Sequence, residues 1–163
     1  MKASWSEVEN QYQRRSDLIP NLVATVKGAA KFEQDTLTAV VEARAGATQI
    51  KVDASIIDDP ERLKQFEAAQ AKLSGALSRL IATVENYPDL KASAAYRDLI
   101  AQLEGTENRI SVARGRYIAN VADYNAYVQK FPTSLGAKIR GKKVKATFTA
   151  STPGAERVPE VKF

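Results

Sequence analysis

The stretch Trp5–Gly46, WSEVENQYQRRSDLIPNLVATVKGAAKFEQDTLTAVVEARAG, decides the architecture. Apolar residues recur along it at helical spacing: Trp5, Val8, Tyr12, Ile19, Leu22, Val26, Ala29, Leu37 and Val40, continuing to Ala47. That spacing puts them on one face of an α-helix. Pro20 falls inside the run. A proline within a helix removes one backbone donor and crowds the carbonyl four residues earlier, here that of Ser16. Because the stripe stays in phase across Pro20, the reading is one long helix kinked near Pro20, about 60 Å long at 1.5 Å per residue. A competing reading starts a second helix near Asp17, with Asp17 as cap and Pro20 in its first turn. Upstream, Ser4-Trp5-Ser6-Glu7 has the form of a capping box.

Working outward, the linker 46–59 holds Gly46, Asp53 and the pair Asp58-Asp59. Asp59 caps a second helix with Pro60 in its first position, and the stripe Leu63, Phe66, Gln70, Leu73, Leu77, Leu80, Val84 and Tyr87 carries it to Pro88-Asp89. A third helix starts near Ser93 and follows Leu99, Leu103, Ile110, Tyr117, Val121, Tyr124 and Val128 to about Lys130, where Phe131-Pro132 stops it. A short helix, Thr133 to Ile139, and an alternating extended segment, Val144 to Phe148, begin the tail. The expected fold is all-α: an antiparallel bundle of three long helices plus a short C-terminal helix, akin to a four-helix bundle, over residues 1–132. Residues 133–163 form the short helix and a basic extended tail, with Val144–Phe148 and Val158–Phe163 packed on the bundle.

Composition narrows the chemistry. The 163 residues contain no cysteine and no histidine. Disulfides, thiolate zinc sites, histidine metal ligands and nucleophiles activated by histidine are therefore excluded. Residues 133–163 hold seven basic and two acidic side chains, a net of +5 that equals the net charge of the whole chain. The body is neutral, so a global nucleic-acid-binding surface is not expected. No apolar run approaches the roughly 18 residues of a transmembrane helix, and no signal peptide is visible.

The stretches NQYQRRSDLIPNLVATV (Asn10–Val26), VEARA (Val41–Ala45), LSGALSRL (Leu73–Leu80), ENYPDLKAS (Glu85–Ser93) and TENRISVARGRYIANVADYN (Thr106–Asn125), with Phe131-Pro132 and the terminal VPEVKF, resemble the LemA family in order and over most of the chain. The resemblance implies a bacterial membrane protein, single-pass anchored by an N-terminal transmembrane helix, carrying a helical bundle on a side of the membrane that it leaves open. It brings no catalytic residues and no cofactor. The sequence departs from that pattern in lacking the span; the expectation is that the span has been trimmed away, the alternative being a soluble member of the family. The implied role is a non-enzymatic scaffold or protein-interaction module with a protein partner. The alternative is a small-molecule or signal sensor binding between helices.

Charged residues on the apolar stripes are the remaining candidates: Arg15, Glu33, Arg44, Glu107 and Arg114. Buried charges are normally paired. With one antiparallel helix between them, the first and third helices run parallel, which sets Glu33 level with Arg114 and Glu107 level with Lys27. These are expected as buried structural ion pairs. Glu33, Glu85, Glu104 and Glu107 could suggest a di-iron bundle, but no Glu-x-x-His motif supports one. Tyr117 and Tyr124, with Asn120 and Asn125 nearby, read as core or groove residues with polar tips. Gly28, Gly75, Gly105 and Gly115 read as sites of close helix approach. Lys138, Arg140, Lys142, Lys143 and Lys145 form the one charge cluster, read either as a solvated tail or as a partner surface for acidic lipid, an acidic protein or, last because only Phe148 could stack on a base, nucleic acid. In the parallel arrangement this cluster projects from the pole opposite the N-terminus.

Overall fold

The computed structural model describes residues 1–29, 32–50, 53 and 55–148. Among them the elements are α1 (Lys2–Lys27), α2 (Gln34–Gln49), a 3-10 turn (Ile56–Asp58), α3 (Pro60–Val84), α4 (Pro88–Ala92), α5 (Ala94–Gln129) and α6 (Thr133–Ile139), with no strand. The all-α bundle expected from the sequence is present. The long first helix is not: the chain turns back between Lys27 and Gln34, and α1 and α2 form an antiparallel hairpin. The arrangement of α1, α2, α3 and α5 is up-down-up-down.

The hairpin follows from side-chain contacts. On α1 the helix runs without a break through Pro20, which is exposed. Proline gives the Ser16 carbonyl no amide partner. Arg44 of α2 supplies one, its Nε donating to Ser16 O at 2.9 Å. That bond can form only if α2 lies back along α1. Local signals for the reversal do exist. Lys27 sits in the last turn of α1, Gly28 follows as its C-cap, and Asp35 lies in the first turn of α2, each suited to its helix end. The apolar stripe hid them, because the turn has a length that leaves Leu37 and Val40 in phase with Leu22 and Val26. At the other end, Ser4 makes no capping box. The helix begins at Lys2, and Ser4 Oγ donates to Met1 O at 2.8 Å.

Later boundaries match their sequence signals. The Asp59 carboxylate accepts from the Glu61 and Arg62 amides, with Pro60 in the first turn of α3. Ser93 caps α5 by accepting from the Tyr96 amide. α6 ends with Gly141 at a φ of 60°, the Gly141 amide donating to Lys138 O and the Lys142 amide to Ala137 O. That is the Schellman pattern, and its left-handed position suits glycine. Close helix approach does not explain Gly75, Gly105 or Gly115, since a Cβ at any of them would meet no other heavy atom within 4 Å.

The core has two parts. One gathers Ile19, Leu22 and Val26 with Leu37, Val40, Leu73, Leu77, Leu80, Val84 and Leu103. The other surrounds Trp5, which meets Phe66 and Tyr117 edge-on at 6.1 and 5.2 Å and stacks on Phe148 at 5.9 Å. Phe148 belongs to the extended segment after α6, so part of the tail completes the core. Its backbone is tied down as well. The Ala146 amide donates to Ile57 O at 2.9 Å, and Tyr117 OH donates to Ala146 O at 2.6 Å. Asn125 brackets Lys145, accepting from its amide at 2.8 Å and donating to its carbonyl at 3.0 Å. Ala146 and Phe148 lie against the bundle, whereas Val144, also expected there, is 52% exposed. The segment Val158–Phe163, expected to do the same, lies outside the described residues.

Two outcomes test this account. Arg44→Ala is expected to cost about 1–3 kcal/mol in urea unfolding, the penalty for stranding a buried carbonyl. In a Pro20→Ala background, where residue 20 regains its amide donor to Ser16, the same substitution should cost clearly less. Additive effects in this double-mutant cycle would contradict the assigned bond. The second concerns Tyr117, whose phenol is raised well above the ordinary 10.0 by burial first and by the Asp58 charge second. A phenol raised in the folded state stabilises fully below about pH 10 and loses that contribution as pH rises above it. Tyr117→Phe should therefore be about 1 kcal/mol less stable than the parent at pH 8. The gap should close in unfolding curves taken above about pH 10.

Candidate functional site

Two places on the bundle concentrate chemistry. The first is a polar belt between the two halves of the core. Arg15 of α1 is 2% exposed, with its guanidinium aimed across the bundle. Its Nη1 reaches Glu107 of α5 in an ion pair and donates to Ser74 Oγ of α3 at 2.9 Å, while Nη2 donates to Gln70 Oε1. The guanidinium also lies 5.1 Å from the ring centre of Tyr12. Two turns beyond Glu107 on α5, Arg114 donates to Glu67 at 3.2 Å and to Tyr12 OH at 3.4 Å, and its guanidinium carbon lies 4.2 Å from the Phe148 ring centre. A cleft of about 560 Å³ opens here between α3 and α5, lined by Tyr12, Arg15, Glu67, Gln70, Glu107 and Arg114. Every cation on that lining except Lys64 is paired with a carboxylate.

The partners differ from those expected. Arg114 pairs with Glu67, not Glu33, and Glu107 pairs with Arg15, not Lys27. The reason is the hairpin. An additional reversal at 28–33 makes α1 and α5 antiparallel, so that residue 15 meets residue 107 and Arg116 pairs with Glu7. Glu33 is exposed at the far turn, where it accepts from Thr36 Oγ1 at 3.2 Å, and Lys27 is exposed at the end of α1. Arg44, also on the stripe, serves the Ser16 carbonyl. Of the carboxylates weighed for a metal, Glu85 pairs with Lys91 at 2.5 Å and Glu104 is exposed on α5. Among the described residues no three carboxylates gather to hold an ion. Gln70 and Glu67 were missed as site residues. Gln70 was legible only as a polar residue on an apolar stripe.

The second place is the pole where α5 ends. Since α1 and α5 are antiparallel, this is the pole where α1 begins, not the opposite one. A cleft of about 550 Å³ is lined there by Met1 and Lys2 together with Asp58, Tyr124, Lys142, Lys143 and Lys145. Lys145 is ion-paired with Asp58. Lys138, Arg140, Lys142 and Lys143 are exposed and make no ion pair among the described residues.

The model of the LemA family matches residues 4–163. The chain belongs to the LemA family. It is 30% identical to magnetosome protein MamQ 2 of Paramagnetospirillum magneticum, over 94% of this chain and 62% of the relative. It is 27% identical to magnetosome protein MamQ of Magnetospirillum gryphiswaldense, over 87% of this chain and 58% of that one. Protein LemA of Metamycoplasma hominis is 26% identical over 82% of this chain and 57% of the relative. The LemA-family chain thus spans about three fifths of the length of these relatives. The stretches quoted above for the resemblance meet at the polar belt: Arg15 and Ser16 come from the first, Arg44 from VEARA, Ser74 from LSGALSRL, and Glu107 and Arg114 from the last.

The belt makes an asymmetric prediction. Glu107 is 47% exposed, whereas its partner is buried. Glu107→Ala leaves a buried guanidinium without its counter-charge and should cost about 2–3 kcal/mol, water reaching the carboxylate side having already weakened the pair. Adding Arg15→Met, which fills similar volume without charge, should recover part of that loss. Urea unfolding of the three proteins reads the difference, and a double variant less stable than Glu107→Ala alone would contradict a neutralising role.

Proposed function

We propose that this domain is a non-enzymatic interaction module that works at a bacterial membrane, and that its working surface is the pole carrying α6 and the basic cluster. The observation that carries this reading is the crowding of exposed apolar side chains and unpaired cations at that pole. Tyr127, Phe131, Leu135, Ile139 and Val144 are five of the eight large exposed apolar residues among those described. A concentration of exposed apolar side chains among cations is the kind of surface that binds a partner. Two further facts support it. The domain belongs to the LemA family, and relatives of similar sequence are named magnetosome proteins. No described helix is long and apolar enough to cross a membrane, so anchoring would come from chain outside the described residues. A span leading into α1 would leave from this same pole, holding it against the bilayer.

The test is photocrosslinking in the native cell, using the full-length protein. A benzophenone residue in place of Tyr127 should give discrete adducts in the membrane fraction, and one in place of Val41, exposed on α2, should give none. Recovery in the soluble fraction, or equal labelling at both positions, would overturn the reading.

A second reading, a sensor for a small molecule, is favoured by the cleft beside Arg15. The saturated hydrogen bonding of the Arg15 terminal nitrogens by Glu107, Gln70 and Ser74 weighs against it. A specific ligand that raises the melting temperature, with the effect abolished by Gln70→Leu, would favour the sensor.

A further inference from the structure

We infer that the α6 pole is a bilayer-docking surface: Phe131, Leu135 and Ile139 enter the interfacial region of a membrane whose anionic headgroups are bound by Lys130, Lys138, Arg140, Lys142 and Lys143. This rests on the reading above and names the partner at its working surface. The apolar component is the first argument. α6 follows α5 after a short break and buries none of its seven residues. Leu135 and Ile139 are one helical turn apart and therefore share a face. Ile139 is 86% exposed and Phe131 75% exposed, the two highest values among the large apolar residues described. A helix with an unburied apolar face at the end of a packed bundle gains nothing from the bundle's own core.

The second argument is charge. From Tyr124 to Phe148 the sequence holds six basic residues and no acidic one. Lys145 is neutralised by Asp58, and the other five are exposed without an ion pair among the described residues. Lys2 adds a further exposed cation beside Lys142 and Lys143. The acidic side chains towards this pole are Glu7 and Glu9 on α1, those of the linker before α3 and its first turn, and Asp123 on α5; Glu7 pairs with Arg116, and Asp123 is exposed. Asp53 is bonded by Ser55, Asp58 by Lys145, and Asp59 caps α3, leaving Glu61 exposed. Excess cations around an apolar face match an anionic lipid surface, where apolar insertion and headgroup attraction add. A nucleic acid would use the cations but leave Leu135 and Ile139 in water. An apolar protein groove would take the leucine and isoleucine but not the ring of lysines.

The third argument is rigidity. The α6 segment is fixed to the bundle, so docking orients the whole domain. At its start the single Thr133 hydroxyl proton is shared between Tyr127 O, 2.5 Å from Oγ1, and Lys130 O, 2.6 Å from it. The Schellman cap at Gly141 closes its end, and Asn125, Tyr117 and Ile57 hold the strand-like segment that follows. Docking therefore needs no refolding of the bundle.

The experiment uses the 163-residue chain with vesicles of phosphatidylcholine alone or with one third phosphatidylglycerol. Sedimentation should show binding to the anionic vesicles, weakened by added salt, and little binding to the neutral ones. Lys142→Glu with Lys143→Glu should lower affinity by about fivefold or more per site. Leu135→Ser with Ile139→Ser should lower it about tenfold or more, whereas Val112→Ser with Ile118→Ser, on exposed α5 positions, should leave it unchanged. Because the chain has no cysteine, Ile139→Cys carries a single environment-sensitive dye. Its emission should shift to the blue on anionic vesicles, and the same dye at Val41→Cys should not respond. Binding that ignores lipid charge, survives both pole variants, or leaves the residue-139 dye in water would overturn the proposal. Failure here with position-specific protein adducts at residue 127 in cells would reject the lipid surface while keeping the interaction module. Failure of both would reject the working surface itself.

Discussion

The Arg15 guanidinium is the constraint on which the bundle's register depends. It is buried at mid-height, and a buried cation is tolerated only where hydrogen bonds and an opposite charge meet it. Those partners come from three places: Gln70 and Ser74 on α3 and Glu107 on α5. Sliding either helix by one turn would carry them out of reach. The belt also divides the core, with Ile19 and Leu22 packing on one side and Tyr12 and Phe66 on the other. Apolar packing alone specifies such a bundle poorly, since leucine and valine contacts are nearly interchangeable between turns. Whether the belt adds net stability is a separate matter from whether it selects one arrangement, and the geometry speaks to selection.

A second polar debt is settled beside it. Pro20 leaves the Ser16 carbonyl without an amide, and Arg44 from α2 occupies that carbonyl. Adjacent residues of α1, Arg15 and Ser16, therefore tie it to α3 and α5 on one side and to α2 on the other. From there the chain of contacts continues to the pole. Arg15 lies against Tyr12, Tyr12 accepts from Arg114, and Arg114 lies against Phe148 of the docked tail. The interior and the α6 pole are thus mechanically continuous, which would let a docked pole fix the orientation of the rest of the domain.

The bundle holds its polar chemistry in two different conditions. Inside, cations are matched with carboxylates and amides, so the belt is built as structure. At the α6 pole cations stay hydrated beside exposed leucine and isoleucine, whose apolar surface would gain from being covered. Among the described residues Arg15 Nε alone of the buried guanidinium nitrogens is left without a partner inside, so the difference between belt and pole is one of charge pairing, and it is the ground for proposing the pole as the working surface.

What the sequence determined by itself was the helical class, the capped starts at Asp59 and Ser93, the short α6, and the packed extended segment ending at Phe148. Each is written locally, in spacing or in a cap residue that meets its own amide. The lack of histidine and cysteine among the 163 residues is likewise read from composition alone. Only the tertiary structure decided that α2 runs back along α1, because an apolar stripe reports the phase of side chains and not the direction of the chain. That one reversal decided the rest. It made α1 and α5 antiparallel, gave Glu107 to Arg15 and Glu67 to Arg114, and moved the basic cluster to the pole of Met1. Ion-pair partners and the placement of surfaces depend on helix direction, and direction is a property of the assembled bundle that no local spacing encodes.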